Sequence, residues 1–202
     1  KMLNGVPLET PRAFTDLIWQ DSWIDDVGFF GELNKMVNEK WSIVAGTRLS
    51  VTTSNAGNPA PDFEELYGSI EPSTTVGMHL TSSVNYHYSS SGLLQLAIGR
   101  GQRPADLSER YINHFNIGMD AYEYVGNPNL KPEINNQVDL TWRNAQGKFY
   151  WGVNVFTSYM ENYIIAVVDT TLRRKDNPTT PPVYAKRFIN LRQVYQAGFE
   201  VD

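Results

Sequence analysis

Polar and apolar residues alternate along most of this chain with the period of a β-strand that has two unlike faces. Val76 to Tyr88 alternates almost without error. Val76, Met78, Leu80, Val84, Tyr86 and Tyr88 lie on one side, and Gly77, His79, Thr81, Ser83, Asn85 and His87 on the other. Trp41 to Val51 repeats the pattern, with Trp41, Ile43, Ala45, Leu49 and Val51 opposite Ser42, Gly46, Arg48 and Ser50. Leu93–Gly101, Asn136–Arg143 and Lys148–Val168 read as further strands. A last one sets Ile189, Leu191, Tyr195, Ala197, Phe199 and Val201 against Asn190, Arg192, Gln196 and Glu200. Asp21 to Leu33 is less tidy, yet Val27, Phe29 and Leu33 share a face opposite Asp26, Gly28 and Glu32. The pattern predicts an all-β antiparallel meander of about seven long strands.

The connections are of two kinds. Asn34–Lys40, Ser89–Gly92 and Asn144–Gly147 have the length of hairpin turns. Thr52–Thr75, Gln102–Lys131 and Thr170–Pro182 are long and rich in Pro, Gly and Asn, so they read as loops. Lys1–Arg12 carries two prolines and no periodicity and also reads as loop. A soluble sandwich has short loops at both ends, whereas outer-membrane barrels pair short turns on one side with long loops on the other. The predicted strands also exceed the ~5–6 residues usual in soluble sheets. Trp41, Tyr86, Tyr88, Trp142, Tyr150 and Trp151 fall near strand ends, which suits the interfacial girdles of a barrel. Ordinary half-buried strand aromatics would give the same pattern.

Composition narrows the choices. The net charge of -5 on 202 residues argues against a nucleic-acid binder, which would show a basic patch. The longest apolar run, Ile164–Val168, falls far short of the ~18 residues of a transmembrane helix, a test that a barrel escapes. Without cysteine there is no disulfide framework and no thiolate metal site. His79 and His87 share a face, but eight residues of extended chain separate them by about 26 Å, so they cannot share an ion. No metal site and no cofactor is expected. The chain has no Gly-x-Ser-x-Gly elbow, phosphate loop or His-Glu-x-x-His motif, and Asp25-Asp26 and Glu64-Glu65 read as solvated loop charges. No enzyme is expected.

The most constrained stretch is Tyr122–Glu133. Gly126 is able to take positive φ, while Pro128 and Pro132 fix their own φ and push Asn127 and Lys131 towards extended backbone. Asn127 and Asn129 suit tight turns. A long loop is thereby folded back and delivered into the strand that starts near Asn136.

Gly126-Asn-Pro-Asn-Leu-Lys-Pro-Glu133 closely resembles a signature of TonB-dependent outer-membrane receptors, at the point where a long external loop re-enters the barrel wall. Upstream, Gly99-Arg-Gly-Gln-Arg-Pro-Ala-Asp-Leu-Ser-Glu-Arg-Tyr111 resembles the family's Gly-x-Arg-x-Pro…Glu-Arg-Tyr element. Two such motifs in the expected order, about a loop apart, form a fairly specific signal. The resemblance implies that residues 1–202 are an interior part of one barrel domain of about 22 strands around a plugged lumen. The plug and both barrel ends would lie outside them. That fits an opening, Lys1–Gly5, without signal-peptide features, and an end in mid-alternation at Gly198–Asp202.

It further implies the outer membrane of a Gram-negative bacterium and contact with outer-membrane lipid. The function implied is import of a scarce, bulky nutrient, foremost a ferric siderophore or other metal chelate. TonB would supply the energy through regions outside this chain. Gly126, Asn127, Pro128, Asn129, Leu130, Lys131, Pro132 and Glu133 would be structural. Candidate ligand contacts in the lumen or external loops are Arg100, Arg103 and Arg110, since Arg grips carboxylates and phosphates in a bidentate way. Arg48 and Arg192 are of the same type. Tyr111, Tyr122 and Tyr124 are candidates to stack on a ring. Each has a structural alternative, such as Arg110 pairing within its loop. Two other functions share the alternation: a soluble or surface-exposed β-sheet carbohydrate-binding module, and a simple porin.

Overall fold

In the computed structural model, residues 16–175 and 180–202 are described, together with the backbone of two short strands, Met2–Leu3 (β1) and Val6–Pro7 (β2), which pair antiparallel. The rest of the expected Lys1–Arg12 loop lies outside the described residues. Then come β3 (Ser22–Met36), β4 (Trp41–Ala56), helix α1 (Pro61–Tyr67), β5 (Ser73–His87) and β6 (Gly92–Arg103). Helix α2 (Leu107–Tyr111), β7 (Tyr124–Val125), β8 (Glu133–Gln146), β9 (Phe149–Arg173) and β10 (Tyr184–Val201) complete the chain. One sheet runs in the order β3-β4-β5-β6-β8-β9-β10-β7 and is open.

The seven long strands form the expected antiparallel meander. The short β7 is the exception. It lies parallel to β10, with Tyr124 opposite Lys186 and Val125 opposite Arg187.

The strands are longer than the alternation alone suggested. β4 continues through Thr52 to Ala56, because small side chains can extend the ladder and three of them, Thr52, Ser54 and Ala56, bury on one face. The expected Thr52–Thr75 loop thus shrinks and contains α1, which starts on Pro61, a residue suited to a first helical position, with Asp62 and Glu64 in its first turn. The expected Gln102–Lys131 loop holds α2 and β7. The Thr170–Pro182 loop loses its start to β9, and residues 176–179 of it are outside the described residues. The turn after β8 tightens to Gly147 and Lys148, with Gly147 at φ 63°.

Cross-strand register sorts the faces into rows. One row joins Leu94, Trp142, Val153 and Val201; the next joins Leu96, Leu140, Val155 and Phe199; the next joins Ile98, Val138, Thr157 and Ala197. Towards the long loops the same face continues with Arg100, Asn136, Tyr159 and Tyr195, then with Gln102, Ile134, Glu161 and Gln193. Among the described residues no second layer covers the apolar face: Phe29 is 79% exposed, Val76 69% and Phe199 75%. A soluble sandwich would seal these side chains between sheets. At the short-turn end of this face Trp142 and Trp151 meet edge to face at 4.7 Å, and Trp41 packs on Tyr86 at 4.6 Å. They form the aromatic border expected of a girdle.

The buried apolar side chains gather at the other end, under the long loops. Ala60, Phe63, Val125 and Ala185 make one cluster; Ala105, Leu130 and Ile164 make another, with Phe188 packed against it. No helix among the described residues is long and apolar enough to cross a membrane.

Candidate functional site

The two motif segments fold onto each other. Asp106 caps α2 reciprocally with Glu109: the Asp106 side chain accepts from the Glu109 amide, and the Glu109 side chain accepts from the Asp106 amide. That cap aims Arg110 across the loop. Its Nη1 donates to Pro128 O at 2.6 Å and its Nη2 to Leu130 O at 2.9 Å. These carbonyls flank a turn made rigid by Pro128 and closed by the Asn129 amide donating to Asn127 Oδ1 at 3.0 Å.

Backbone bonds tighten the contact. Gly126 donates to Ile112 O at 2.7 Å and Asn127 to Glu109 O at 2.8 Å. Gly126 is not in the left-handed region; it is needed for close approach. A Cβ there would lie 2.5 Å from the Arg110 carbonyl carbon and oxygen and 2.6 Å from the Tyr111 nitrogen. Tyr67 of α1 donates to Gly126 O at 2.6 Å, and burial, with Arg187 opposing, pushes its hydroxyl pKa up to about 12.

Arg103 closes the other side. It binds Glu109 through both nitrogens, at 2.8 and 3.0 Å, and reaches Glu133 at 3.0 Å. Glu133 also accepts from the Ile164 amide of β9 at 3.1 Å. The Glu109 hydrogen bond, partial desolvation working against it, and the two carboxylates raise the Arg103 pKa above its already high value.

The interlock is then sewn to β10. Lys186 N donates to Glu123 O at 2.8 Å, Asn127 Nδ2 to Phe188 O at 3.0 Å, and Lys131 N to Asn190 Oδ1 at 2.9 Å. Asn190 returns a bond to Lys131 O at 3.0 Å and holds Asn162 O at 2.7 Å, where β9 bends through φ 55°. A loop that leaves β6 and returns in β8 therefore crosses β9 and fastens to β10.

The candidate ligand residues separate. Arg110 and Tyr111 are fully buried and hold the loop: the Tyr111 hydroxyl meets Ser54 Oγ at 3.2 Å, and its carbonyl accepts from Gln20. Tyr124 is buried, its hydroxyl donating to Asp120 Oδ2 at 2.9 Å. Tyr122 is half-buried with Lys186 Nζ 4.9 Å above its ring. Arg103 keeps a partly exposed guanidinium. Arg100 is not beside them; it stands on the apolar face and donates to Asn136 Oδ1 at 2.7 Å.

Some pairs carried no sequence signal. Asp26, read as a loop charge, lies within β3 and accepts from Arg48 at 2.8 Å and Thr52 at 2.7 Å. Those partners are 22 and 26 residues away, joined only by register. His114 meets Glu123 at 3.0 Å within one loop; the Lys175 amide donates to Glu123 at 2.8 Å and its Nζ meets Asp62 at 2.7 Å, tying the three long loops together. No group of three His, Asp or Glu side chains among the described residues is arranged to hold a metal ion.

Two consequences are measurable. Gln20, 1% exposed, donates to Tyr111 O and accepts from Ala60 N at 2.9 Å. Gln20→Ala leaves both groups unpaired and should cost about 1–2 kcal/mol of local stability, read as faster amide exchange at Ala60. The second concerns pH. A hydrogen bond from Lys186 holds the Asp120 carboxyl below the usual carboxylate range; partial desolvation opposes it, and bonds from the Tyr122 amide and Tyr124 hydroxyl assist. A folded-state value below the unfolded one stabilises above the unfolded pKa and is lost as pH falls through the folded one. The tip Asp120–Tyr124 should therefore loosen only below about pH 4, and Asp120→Asn should remove that pH dependence from its exchange rates.

The family described as TonB dependent receptor-like, beta-barrel matches residues 10–202. The chain belongs to this family. Among solved structures it resembles the copper transporter OprC, with TM-score 0.67 and 15% identity over 90% of this chain and 26% of that one. It also resembles the Serratia marcescens hemophore receptor HasR, solved with its hemophore HasA and heme, at TM-score 0.65 and 16% identity over 88% and 31%. The alcaligin receptor FauA of Bordetella pertussis gives TM-score 0.52 and 14% identity over 89% and 27%. This chain thus spans roughly a quarter to a third of those proteins. No curated protein matches it. Family proteins are outer-membrane β-barrel receptors and transporters, not enzymes. Membership in this family leaves the soluble carbohydrate-binding module and the simple porin without support.

Proposed function

We propose that this chain supplies wall and external-loop structure to a Gram-negative outer-membrane receptor that imports a scarce, bulky nutrient with energy from TonB. A ferric siderophore or other metal chelate is the foremost ligand class. The observation that carries the reading is the interlock itself. Loops that pass over the wall are held there by Arg110, Gly126, Asn127 and Asn190, so ligand-facing side chains at their tips are presented on a fixed frame. Arg103 and Tyr122 are the ligand contacts proposed here, because both keep accessible surface beside that frame. The plug and the TonB-contacting segment belong to regions other than residues 1–202.

The test is growth of a strain lacking the full-length gene on a panel of iron, cobalamin and glycan sources, with the gene restored and TonB present or deleted. Rescue on one iron chelate that requires TonB is the expected result. Rescue that persists without TonB would defeat the reading. Tyr122→Ala in the restored gene should lower uptake at limiting ligand while leaving the amount of folded receptor unchanged, whereas Arg103→Ala should lower uptake and also loosen the loop that Glu109 and Glu133 hold.

A further inference from the structure

Lys186 of β10 takes hold of the loop tip 120–124 with both its main chain and its side chain. Its amide donates to Glu123 O at 2.8 Å, and register sets it opposite Tyr124. Its ammonium donates to Asp120 Oδ2, stands over the Tyr122 ring 4.9 Å from the centre, and lies 5.4 Å from the centre of the Tyr124 ring. Asp120 accepts in turn from the Tyr122 amide at 2.9 Å and from the Tyr124 hydroxyl at 2.9 Å.

A lone ion pair at a surface is worth little, because two long side chains give up freedom for a screened attraction. Here the ammonium is shared between a carboxylate and two rings, and the cation–π attraction adds to the pair. The carboxylate is fixed by two further donors, and Tyr124 is buried. The Tyr122 ring is held differently. Among the described residues its hydroxyl makes no hydrogen bond and no other aromatic ring pairs with it, so the ammonium is the polar contact that orients it.

We propose that Lys186 is the positioning residue for Tyr122: an ammonium carried on a wall strand sets where the loop tip offers that ring to the ligand. The inference rests on the reading that Tyr122 meets the ligand. A ring ordered in advance need not be ordered by the ligand, and ordering one such side chain weakens binding about three- to tenfold. Lys186 therefore acts on capture and not on the later steps of import.

The test uses the full-length receptor with a nitroxide label at Met119→Cys, a position 80% exposed at the end of the same loop. Lys186→Ala and Lys186→Arg keep the main-chain bond to Glu123, so they probe the side chain alone. The label should become mobile in Lys186→Ala and stay near wild type in Lys186→Arg. Propylammonium, which replaces the missing part of the side chain, should restore order to Lys186→Ala, and propanol should not. In radio-iron uptake from the chelate that restores growth, Lys186→Ala should raise the half-saturating concentration roughly three- to tenfold at an unchanged maximal rate. Added to Tyr122→Ala it should change nothing further. Equal label mobility in wild type and Lys186→Ala overturns the proposal, as do rescue by propanol, a fall in maximal rate, or an additive double variant. A label that responds while Tyr122→Ala leaves uptake unaltered defeats Tyr122 as a ligand contact and leaves the receptor reading standing. A label that responds when no chelate restores growth defeats the receptor reading instead.

Discussion

Gly126→Ala in the full-length receptor is expected to open the loop interlock. The added methyl would sit 2.5–2.6 Å from three backbone atoms of Arg110 and Tyr111. Backbone cannot rotate away as a side-chain tip can, so the segments must part. Parting strains the Gly126–Ile112 and Asn127–Glu109 bonds and the Tyr67 bond to Gly126 O. Overpacking of about 1–3 kcal/mol and roughly 1 kcal/mol for each of the three hydrogen bonds lost together amount to about 4–6 kcal/mol. That corresponds to amide exchange across residues 107–132 faster by roughly three to four decades. Gly31→Ala is the control, because a Cβ at Gly31 meets nothing within 4 Å. If both variants exchange alike, close approach is not the reason for glycine at position 126.

Arg110→Met should come next in effect. The thioether keeps much of the volume but leaves Pro128 O and Leu130 O without their donor in a buried site. Removing one partner of a buried, charged hydrogen-bond pair costs about 2–4 kcal/mol for two such acceptors. Arg110→Lys should recover less than half, since a single ammonium cannot reach both carbonyls as the planar fork does. Burial pushes the Arg110 pKa down, with the Tyr111 hydroxyl and Glu109 carboxylate pulling the other way. The ordinary value is so high that the group stays charged, and the effect of the substitution should be flat between pH 5 and 9. A steep pH dependence would mean that another group carries the interaction. Limited proteolysis in the loop 104–132 is an independent readout, with cleavage expected in Arg110→Met and absent in wild type.

The alternation of Val76–Tyr88 and Trp41–Val51 was enough to place strands, assign two faces and predict the meander. A two-residue period leaves no other arrangement in which every Leu or Val of a segment shares one side. The run of prolines and asparagines after Gly126 likewise marked a rigid re-entry point, because those residues restrict their own backbone whatever surrounds them. What such local rules could not reach was any fact that depends on distant segments meeting. Gly126 looked like a turn glycine; its reason is the Arg110 backbone, which comes within touching distance only once α2 has formed. Arg110 and Tyr111, candidate contacts with a structural alternative, are buried supports, a choice the sequence left open because burial is a property of the packed loops and not of residue type. Arg100 and Arg103 were candidates of one kind, yet an odd spacing along a strand puts them on opposite faces, and the alternation of Leu94, Leu96 and Ile98 already carries Arg100 to the apolar one. What only the fold supplies is its partner, Asn136 of the neighbouring strand, which register brings opposite it.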